Sequence, residues 1–130
     1  MKKLLEAATK ARENAYVPYS HFKVGAALLL KDGSIITGCN VENASYGLCN
    51  CAERTALFTA YASGVKKDDI VAMSICGDTE GPISPCGACR QVMSELLAGY
   101  TPVYLTNLKG DVKEMTVAEL LPYSFSGDDL

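Results

Sequence analysis

The stretch KVGAALLLKDGSIITGCNV, residues 23–41, contains two apolar segments on either side of a short polar turn. Residues 23–30 and 34–41 are predicted to be strands, because each is apolar and rich in β-branched or small aliphatic residues. The KDGS turn between them carries an Asp-Gly pair, which supplies the positive φ that a tight hairpin needs. An antiparallel hairpin therefore begins the predicted sheet.

Helices and further strands extend this hairpin in both directions. Residues 2–15 place Leu and Ala at helical spacing, which predicts an amphipathic helix. The same reasoning predicts three more strands, at 69–77, 102–107 and 112–116, and three more helices, at 51–62, 86–97 and 117–123. This order favours one mixed sheet covered by helices, with parallel strands added by the later strand–helix–strand pieces.

Composition excludes several classes of protein. The chain has 130 residues, 48% of them hydrophobic, and a net charge of −3. Such a length fits one domain, residues 1–130, with a core of its own. No basic patch favours a nucleic-acid polymer, and no apolar run reaches the roughly 18–20 residues of a membrane span. The opening MKKLLEAATKAR is too polar for a signal peptide, so a cytoplasmic protein is expected.

The six cysteines favour metal ligation or simple burial over disulfides, because nothing in the sequence indicates export. Asn50 is predicted to cap the helix at 51–62, with Glu53 three residues later in a capping box. Cys51 would then lie in the first helical turn, where the helix dipole favours its thiolate. Cys49 lies outside the predicted helix, so the helix dipole does not favour its thiolate.

A second helix start, SPCGAC at residues 84–89, carries two more cysteines. Ser84 is predicted as its cap, and Cys86 and Cys89 then share one helical face. A metal chelate, a redox pair and a buried pair all fit Cys-x-x-Cys alone. Zinc would use these two thiols and Cys51, at about 2.3 Å each, and keep a fourth position open for water. Glu53 could accept a proton from that water, whose pKa zinc lowers toward about 7.

The joint pattern resembles the zinc-dependent cytidine and deoxycytidylate deaminases. The motif itself is CAE at 51–53 followed by PCGACRQ at 85–91. PYSHFKVGAAL at 18–28, GCNVENASYGLCNCAERTALF at 38–58 and NLKGDVKEMTVAELLP at 107–122 are similar to the short, homotetrameric cytidine deaminases. This resemblance covers roughly residues 2–126. It implies a three-layer α-β-α sandwich around a mixed five-stranded sheet and one zinc ion per subunit.

The resemblance also implies the activity, hydrolysis of cytidine and 2′-deoxycytidine to uridine and 2′-deoxyuridine in pyrimidine salvage. Glu53 would protonate N3 and then the departing amine. Arg54 would donate to the ligand sulfurs and offset the net −1 charge that three thiolates give Zn²⁺. The resemblance implies contacts to the base from Phe22 on the ring, from the Ser84 carbonyl on the 4-amino group, and from backbone amides near Ala52 and Cys86. It implies that Asn40 and Glu42 bind the sugar. It also implies that Tyr46 and Phe125 reach the site of a neighbouring subunit.

The remaining candidates are interpreted structurally. Cys39 and Cys76 fall in predicted strands and are expected to be small core residues. His21, the only histidine, is expected to be a solvated loop residue. Without the resemblance, Phe22 would be expected in an ordinary core position, and Arg54 would be expected on an exposed helix face.

Three alternatives remain open at the level of sequence. The first is a related deaminase acting on blasticidin S or a free base. The second is an editor of RNA or single-stranded DNA, which would need a basic groove. The third is a structural zinc module in which Cys49 is the fourth ligand.

Overall fold

A computed structural model describes residues 1–130 and contains the predicted elements in the predicted order. The helices are α1 Lys2–Ala11, α2 Ala52–Ala62, α3 Gly87–Leu96 and α4 Val117–Leu120. The strands are β1 Val24–Leu30, β2 Ile35–Cys39, β3 Ile70–Gly77, β4 Pro102–Asn107 and β5 Val112–Thr116. None of the helices combines the length and the apolar composition needed to cross a bilayer.

The five strands form one mixed sheet in the order β2-β1-β3-β4-β5. β1 pairs antiparallel with both β2 and β3, and β3 pairs parallel with β4. The predicted hairpin and the parallel β3–β4 pair are therefore confirmed. β5 returns antiparallel to β4, because the short turn between them contains Gly110 at a φ of 89° and reverses the chain.

Helices cover both faces of the sheet, which confirms the three-layer sandwich. Leu4 and Ala8 of α1 pack on one face against Ala27, Cys76 and Tyr104. The larger core lies on the opposite face, where α2, α3 and α4 pack against the sheet. Because both faces are covered, β1 is almost continuously buried, as its uninterrupted apolar sequence indicates.

Gly38 lets α2 lie directly on β2. A Cβ atom at this position would stand 2.9 Å from the Ala52 carbonyl oxygen and would overlap the Ala56 amide nitrogen. No side chain larger than hydrogen fits between the two backbones. The start of α2 is therefore set at a fixed height above the sheet.

The loop between β3 and α3 is fastened to the end of β4. Buried Asn107 donates through Nδ2 to the carbonyls of Thr79, at 3.0 Å, and Glu80, at 3.1 Å. Ile83 adds a backbone bond to the Thr106 carbonyl. The chain thus enters α3 from a loop with a defined conformation.

Several predicted boundaries are wrong at helix and strand ends, and β2 ends at Cys39 rather than at residue 41. α1 stops at Ala11 rather than residue 15 and continues as a 3₁₀ turn, Arg12–Asn14. Arg12 here donates from Nε to the Lys23 carbonyl just before β1, a tertiary bond that periodicity cannot show. α4 likewise stops at Leu120 rather than residue 123. Cys76 is buried as predicted, but Cys39 at the end of β2 is only partly buried.

Candidate metal centre and active site

The starts of α2 and α3 lie side by side and bring three cysteine sulfurs together. Cys51 immediately precedes α2, Cys86 precedes α3, and Cys89 lies in the first turn of α3. The three Sγ atoms all lie within 4.8 Å of one another, and those of Cys51 and Cys86 are 3.9 Å apart. Cys49 is not part of this cluster; its Sγ accepts from the Asn43 amide at 3.3 Å.

This sulfur cluster fits a zinc ion. Tetrahedral zinc binds thiolates at about 2.3 Å, which separates neighbouring sulfurs by about 3.8 Å. The observed spacing of Cys51 and Cys86 agrees with that value, and thiolates are donors that zinc prefers. Three side chains would fill three of the four positions of such an ion. Cys86 is exposed, so the fourth corner is within reach of water or a small molecule.

The helix starts differ from the predicted caps by one or two residues. Cys51, not Asn50, is the N-cap of α2, and the Asn50 side chain donates to Thr55 instead. Cys86, not Ser84, is the N-cap of α3, and its Sγ accepts from the Cys89 amide at 3.4 Å. The caps were misplaced because a cysteine sulfur is a weak acceptor that cap preferences rank low.

Arg54 and Cys89 favour the thiolate of Cys51. The neighbouring Cys89 thiol, followed by the Arg54 guanidinium, holds the pKa of Cys51 below its ordinary value. Arg54 Nη2 lies 3.2 Å from Cys51 Sγ, close enough to donate to it. That bond to Cys51 also raises the pKa of Arg54, so the two charges stabilise each other. The predicted thiolate is supported by named neighbours as well as by the helix dipole.

Glu53 is buried beside the sulfurs rather than engaged in a capping box. Only 4% of this residue is exposed. Burial raises the pKa of Glu53 to about 7, and the negative charge of Cys51 acts in the same direction. A divalent cation on the sulfurs would favour the carboxylate and lower this pKa again. A buried carboxyl group with these opposing influences is suited to accept and return a proton near neutral pH.

A cavity of about 180 Å³ opens at the sulfur cluster and gathers most of the predicted contacts. Its walls contain Phe22, Asn40, Cys51, Ala52, Glu53, Ser84 and Cys86. Two further lining residues, Val24 and Ile83, were not singled out from the sequence, because an apolar residue in a strand or loop carries no signal for a binding site.

Asn40 binds the backbone at the start of β1 and also lines this cavity. Its Nδ2 donates to the Phe22 carbonyl at 2.8 Å, and its Oδ1 accepts from the Val24 amide at 2.9 Å. Phe22 is 39% exposed and therefore not the core residue that its sequence alone would favour. One amide side chain thus fixes the position of the aromatic ring in the cavity wall.

Glu42 and Tyr46 line a separate cavity, together with Tyr19, Ser20 and Cys49. The Glu42 carboxylate accepts from the amides of Tyr19 and Ser20, at 3.1 Å each, and from the Ser20 hydroxyl. The Ser20 hydroxyl is the main reason that the pKa of Glu42 is lowered. Asn40 and Glu42, predicted to project to one side, therefore line different cavities.

Phe125 lines neither of these cavities. It is 59% exposed, and its carbonyl accepts from Gln91 at 3.0 Å. Tyr46 is 75% exposed and stacks edge-on against Tyr19. His21 is exposed, as expected for a solvated loop residue.

The structure places three cysteine sulfurs and a buried carboxyl group at two helix starts on a mixed sheet. Three such donors would leave one position of a bound zinc ion open, which is typical of the class of zinc-dependent deaminases. The family model described as the cytidine and deoxycytidylate deaminase zinc-binding region matches residues 1–105. The chain belongs to this family of cytidine and deoxycytidylate deaminases.

Individual relatives resemble the chain along nearly its whole length. A cytidine deaminase of Halalkalibacterium halodurans is 61% identical, covering 98% of this chain and 95% of that protein. One from Sporosarcina psychrophila is 59% identical, covering 100% and 94%. The crystal structure of a cytidine deaminase from Burkholderia pseudomallei superposes with a TM-score of 0.93 at 59% identity, covering 95% of this chain and 98% of that one.

Proposed function

We propose that this protein hydrolyses cytidine and 2′-deoxycytidine to uridine and 2′-deoxyuridine, with release of ammonia. The observation that carries the proposal is the buried Glu53 beside three clustered sulfurs, where Glu53, Cys51 and Cys86 line one small cavity. The full-length similarity to proteins named cytidine deaminase supports the nucleoside as substrate. We place the reaction in pyrimidine salvage and in the cytoplasm.

Cys51, Cys86 and Cys89 would hold a zinc ion, which when bound would supply a Lewis acid that lowers the pKa of water toward neutrality. Glu53 moves the protons. It accepts one proton from the attacking water and delivers it to N3 of the pyrimidine, then takes the second proton from the new C4 hydroxyl group and gives it to the departing amine. Its burial keeps bulk water from competing for that proton.

The cavity wall binds the base. Phe22 packs against the pyrimidine, and the Ser84 carbonyl accepts from the 4-amino group. The backbone amides near Ala52 and Cys86 lie at helix starts, where N–H groups have no intrahelical partner and can donate to the ring. The cavity is small and partly apolar, which suits a single nucleoside.

Asn40, in the wall of the cavity at the sulfur cluster, and Glu42, in the wall of the second cavity, bind the sugar from two sides. A carboxylate offers about four acceptor positions, and three of those on Glu42 are taken by Tyr19 and Ser20. One position stays available for a ribose hydroxyl. The bonds to the 19–20 loop hold the carboxylate in place before the sugar arrives, which reduces the entropy lost on binding.

The active unit is a homotetramer. Tyr46 and Phe125 carry large exposed aromatic rings and contribute to the site of a neighbouring subunit. With a net charge of −3 and no basic groove, the chain is matched to a small nucleoside rather than to a nucleic-acid polymer or a membrane surface.

Initial deamination rates distinguish this proposal from its rivals. We expect cytidine and 2′-deoxycytidine to be turned over far faster than cytosine, blasticidin S or a single-stranded oligonucleotide containing cytosine. Faster deamination of blasticidin S or cytosine would favour the related small-molecule deaminases, and faster deamination of the oligonucleotide would favour an editing enzyme. No deamination of any of them would favour a structural zinc module.

A further inference from the structure

Arg90 is an arginine in α3 that contacts no carboxylate. The chain contains three ion pairs, and Arg90 belongs to none of them. All three guanidinium nitrogens donate to neutral acceptors instead. Nε donates to the Pro85 carbonyl at 2.8 Å, Nη1 to the Leu120 carbonyl at 2.8 Å and Nη2 to the Ser84 hydroxyl at 2.6 Å.

These bonds fix the segment that leads into α3. The Arg90 amide donates to the Cys86 carbonyl at 3.0 Å, while the Arg90 side chain holds the Pro85 carbonyl and the Ser84 hydroxyl. One residue therefore binds three consecutive positions of the chain. The Ser84 carbonyl is the one carbonyl of this segment that accepts no hydrogen bond within the chain.

Ser84 also lies in the wall of the cavity that contains Glu53 and Cys86. Because Ser84 is exposed and its carbonyl has no partner within the chain, this carbonyl is open to a donor group of a bound molecule. The direction of the Ser84 carbonyl depends on the peptide units on either side of it. Arg90 binds the unit on the C-terminal side, through the Pro85 carbonyl. A planar guanidinium forms such bonds at fixed relative angles, whereas a lysine ammonium does not.

We propose that Arg90 is a positioning residue that orients the Ser84–Pro85 segment so that the Ser84 carbonyl meets the exocyclic amino group of the substrate. This inference rests on the proposed cytidine deaminase function. Arg90 touches neither substrate nor metal. It acts through Ser84, and its bond to Leu120 anchors this segment to the end of α4.

The test compares two ribonucleosides that differ only at C4 of the base. Arg90→Lys keeps the positive charge but loses the planar fork, and Ser84→Ala removes only the acceptor of Nη2. Arg12→Lys is the matched control, because Arg12 also donates from Nε to a carbonyl but lies on α1's side of the sheet. Each purified variant is assayed for kcat and KM on cytidine, the inhibition constant of pyrimidin-2-one riboside, and zinc per chain.

We expect Arg90→Lys to lower kcat/KM on cytidine at least tenfold, with full zinc and with inhibition by pyrimidin-2-one riboside changed less than threefold. Pyrimidin-2-one riboside has no amino group at C4, so it does not use the Ser84 carbonyl. Ser84→Ala should show a smaller loss of the same kind, and Arg12→Lys should match the wild type.

The inference would be overturned if Arg90→Lys reduced kcat/KM on cytidine and inhibition by pyrimidin-2-one riboside by the same factor. Arg90 would then support the whole site rather than the contact with the amino group. Loss of zinc in Arg90→Lys would also overturn it, as would wild-type kinetics. A wild-type enzyme that forms no uridine from cytidine would instead refute the proposed function, so the two failures are distinguishable.

Discussion

Glu53 is the residue whose surroundings differ most from those of an ordinary carboxylate. It is almost fully buried, its pKa is raised to about 7 by that burial, and no arginine or lysine pairs with it in a salt bridge. Burying an acidic group in this way costs stability. Such a cost is consistent with a role in chemistry rather than in folding.

Replacing Glu53 with Gln tests that role. Glutamine has nearly the same shape but cannot carry a proton between oxygen and nitrogen. We expect Glu53→Gln to keep its fold and zinc while kcat on cytidine falls at least about 100-fold, the lower range for loss of a general acid–base group. Glu95→Gln, an exposed change on α3, is the control. Turnover close to that of the wild type would exclude Glu53 as the proton carrier.

Arg54 acts on the sulfurs rather than on the substrate. Because its guanidinium donates to Cys51 Sγ, removing its charge leaves more negative charge on the metal site and weakens water activation. We therefore expect Arg54→Gln to reduce kcat by a larger factor than it raises KM, measured by steady-state kinetics on cytidine. A purified Arg54→Gln enzyme with normal kcat would contradict this assignment.

At the scale of single elements, the contact between α2 and β2 sets the position of Glu53. Gly38→Ala would insert a methyl group between the two backbones, which have no flexible side chain to move aside. We expect a loss of about 1–3 kcal/mol in the free energy of unfolding, the usual cost of overpacking, measured by urea denaturation.

Gly81→Ala is the matched control for this change, since a Cβ atom at Gly81 meets nothing within 4 Å. Its unfolding free energy should stay within about 0.5 kcal/mol of the wild type, as for ordinary surface substitutions. If Gly38→Ala were equally mild, α2 would have to be free to move away from the sheet.

The elements themselves were predictable, because each has a clear local signal. The Asp-Gly turn predicts the β1–β2 hairpin, and the uninterrupted apolar run of β3 predicts a strand covered on both faces. The helix starts were not predictable in the same way. Cys51 and Cys86 are the N-caps in the structure, although cap preferences favour Asn50 and Ser84. Tertiary packing between the two helix starts decides these positions.

The candidate site likewise contains some features that the sequence predicts and others that it does not. The spacing of Cys51, Cys86 and Cys89 in the sequence was enough to predict a three-sulfur cluster, which the structure contains. The network of Arg90 was not predictable, because its acceptors are two carbonyls and a hydroxyl, groups that every segment offers. The separation of Asn40 from Glu42 depends on the 19–20 loop, whose path has no periodic signal.

In the assembled protein, we propose that exposed aromatic residues complete the site of a neighbouring subunit. Tyr46 and Phe125, the two residues proposed to do so, are 75% and 59% exposed. We expect light scattering to give a mass about four times the 13.9 kDa of one chain. Tyr46→Ala should weaken this assembly, whereas Tyr100→Ala, also on the surface, should not. A fully active single chain would contradict the proposed tetramer.

We propose that three cysteine thiolates hold one catalytic zinc ion beside Glu53. The decisive measurement is zinc per chain, taken together with the ultraviolet absorbance change of cytidine before and after addition of a zinc chelator. We expect one zinc per chain, loss of activity as the metal is withdrawn, and recovery when zinc is added. Cys49→Ser should behave like the wild type, while Cys51→Ser should lose both zinc and activity. Full activity without metal, or loss of zinc in Cys49→Ser, would exclude a catalytic zinc ion held by Cys51, Cys86 and Cys89 alone.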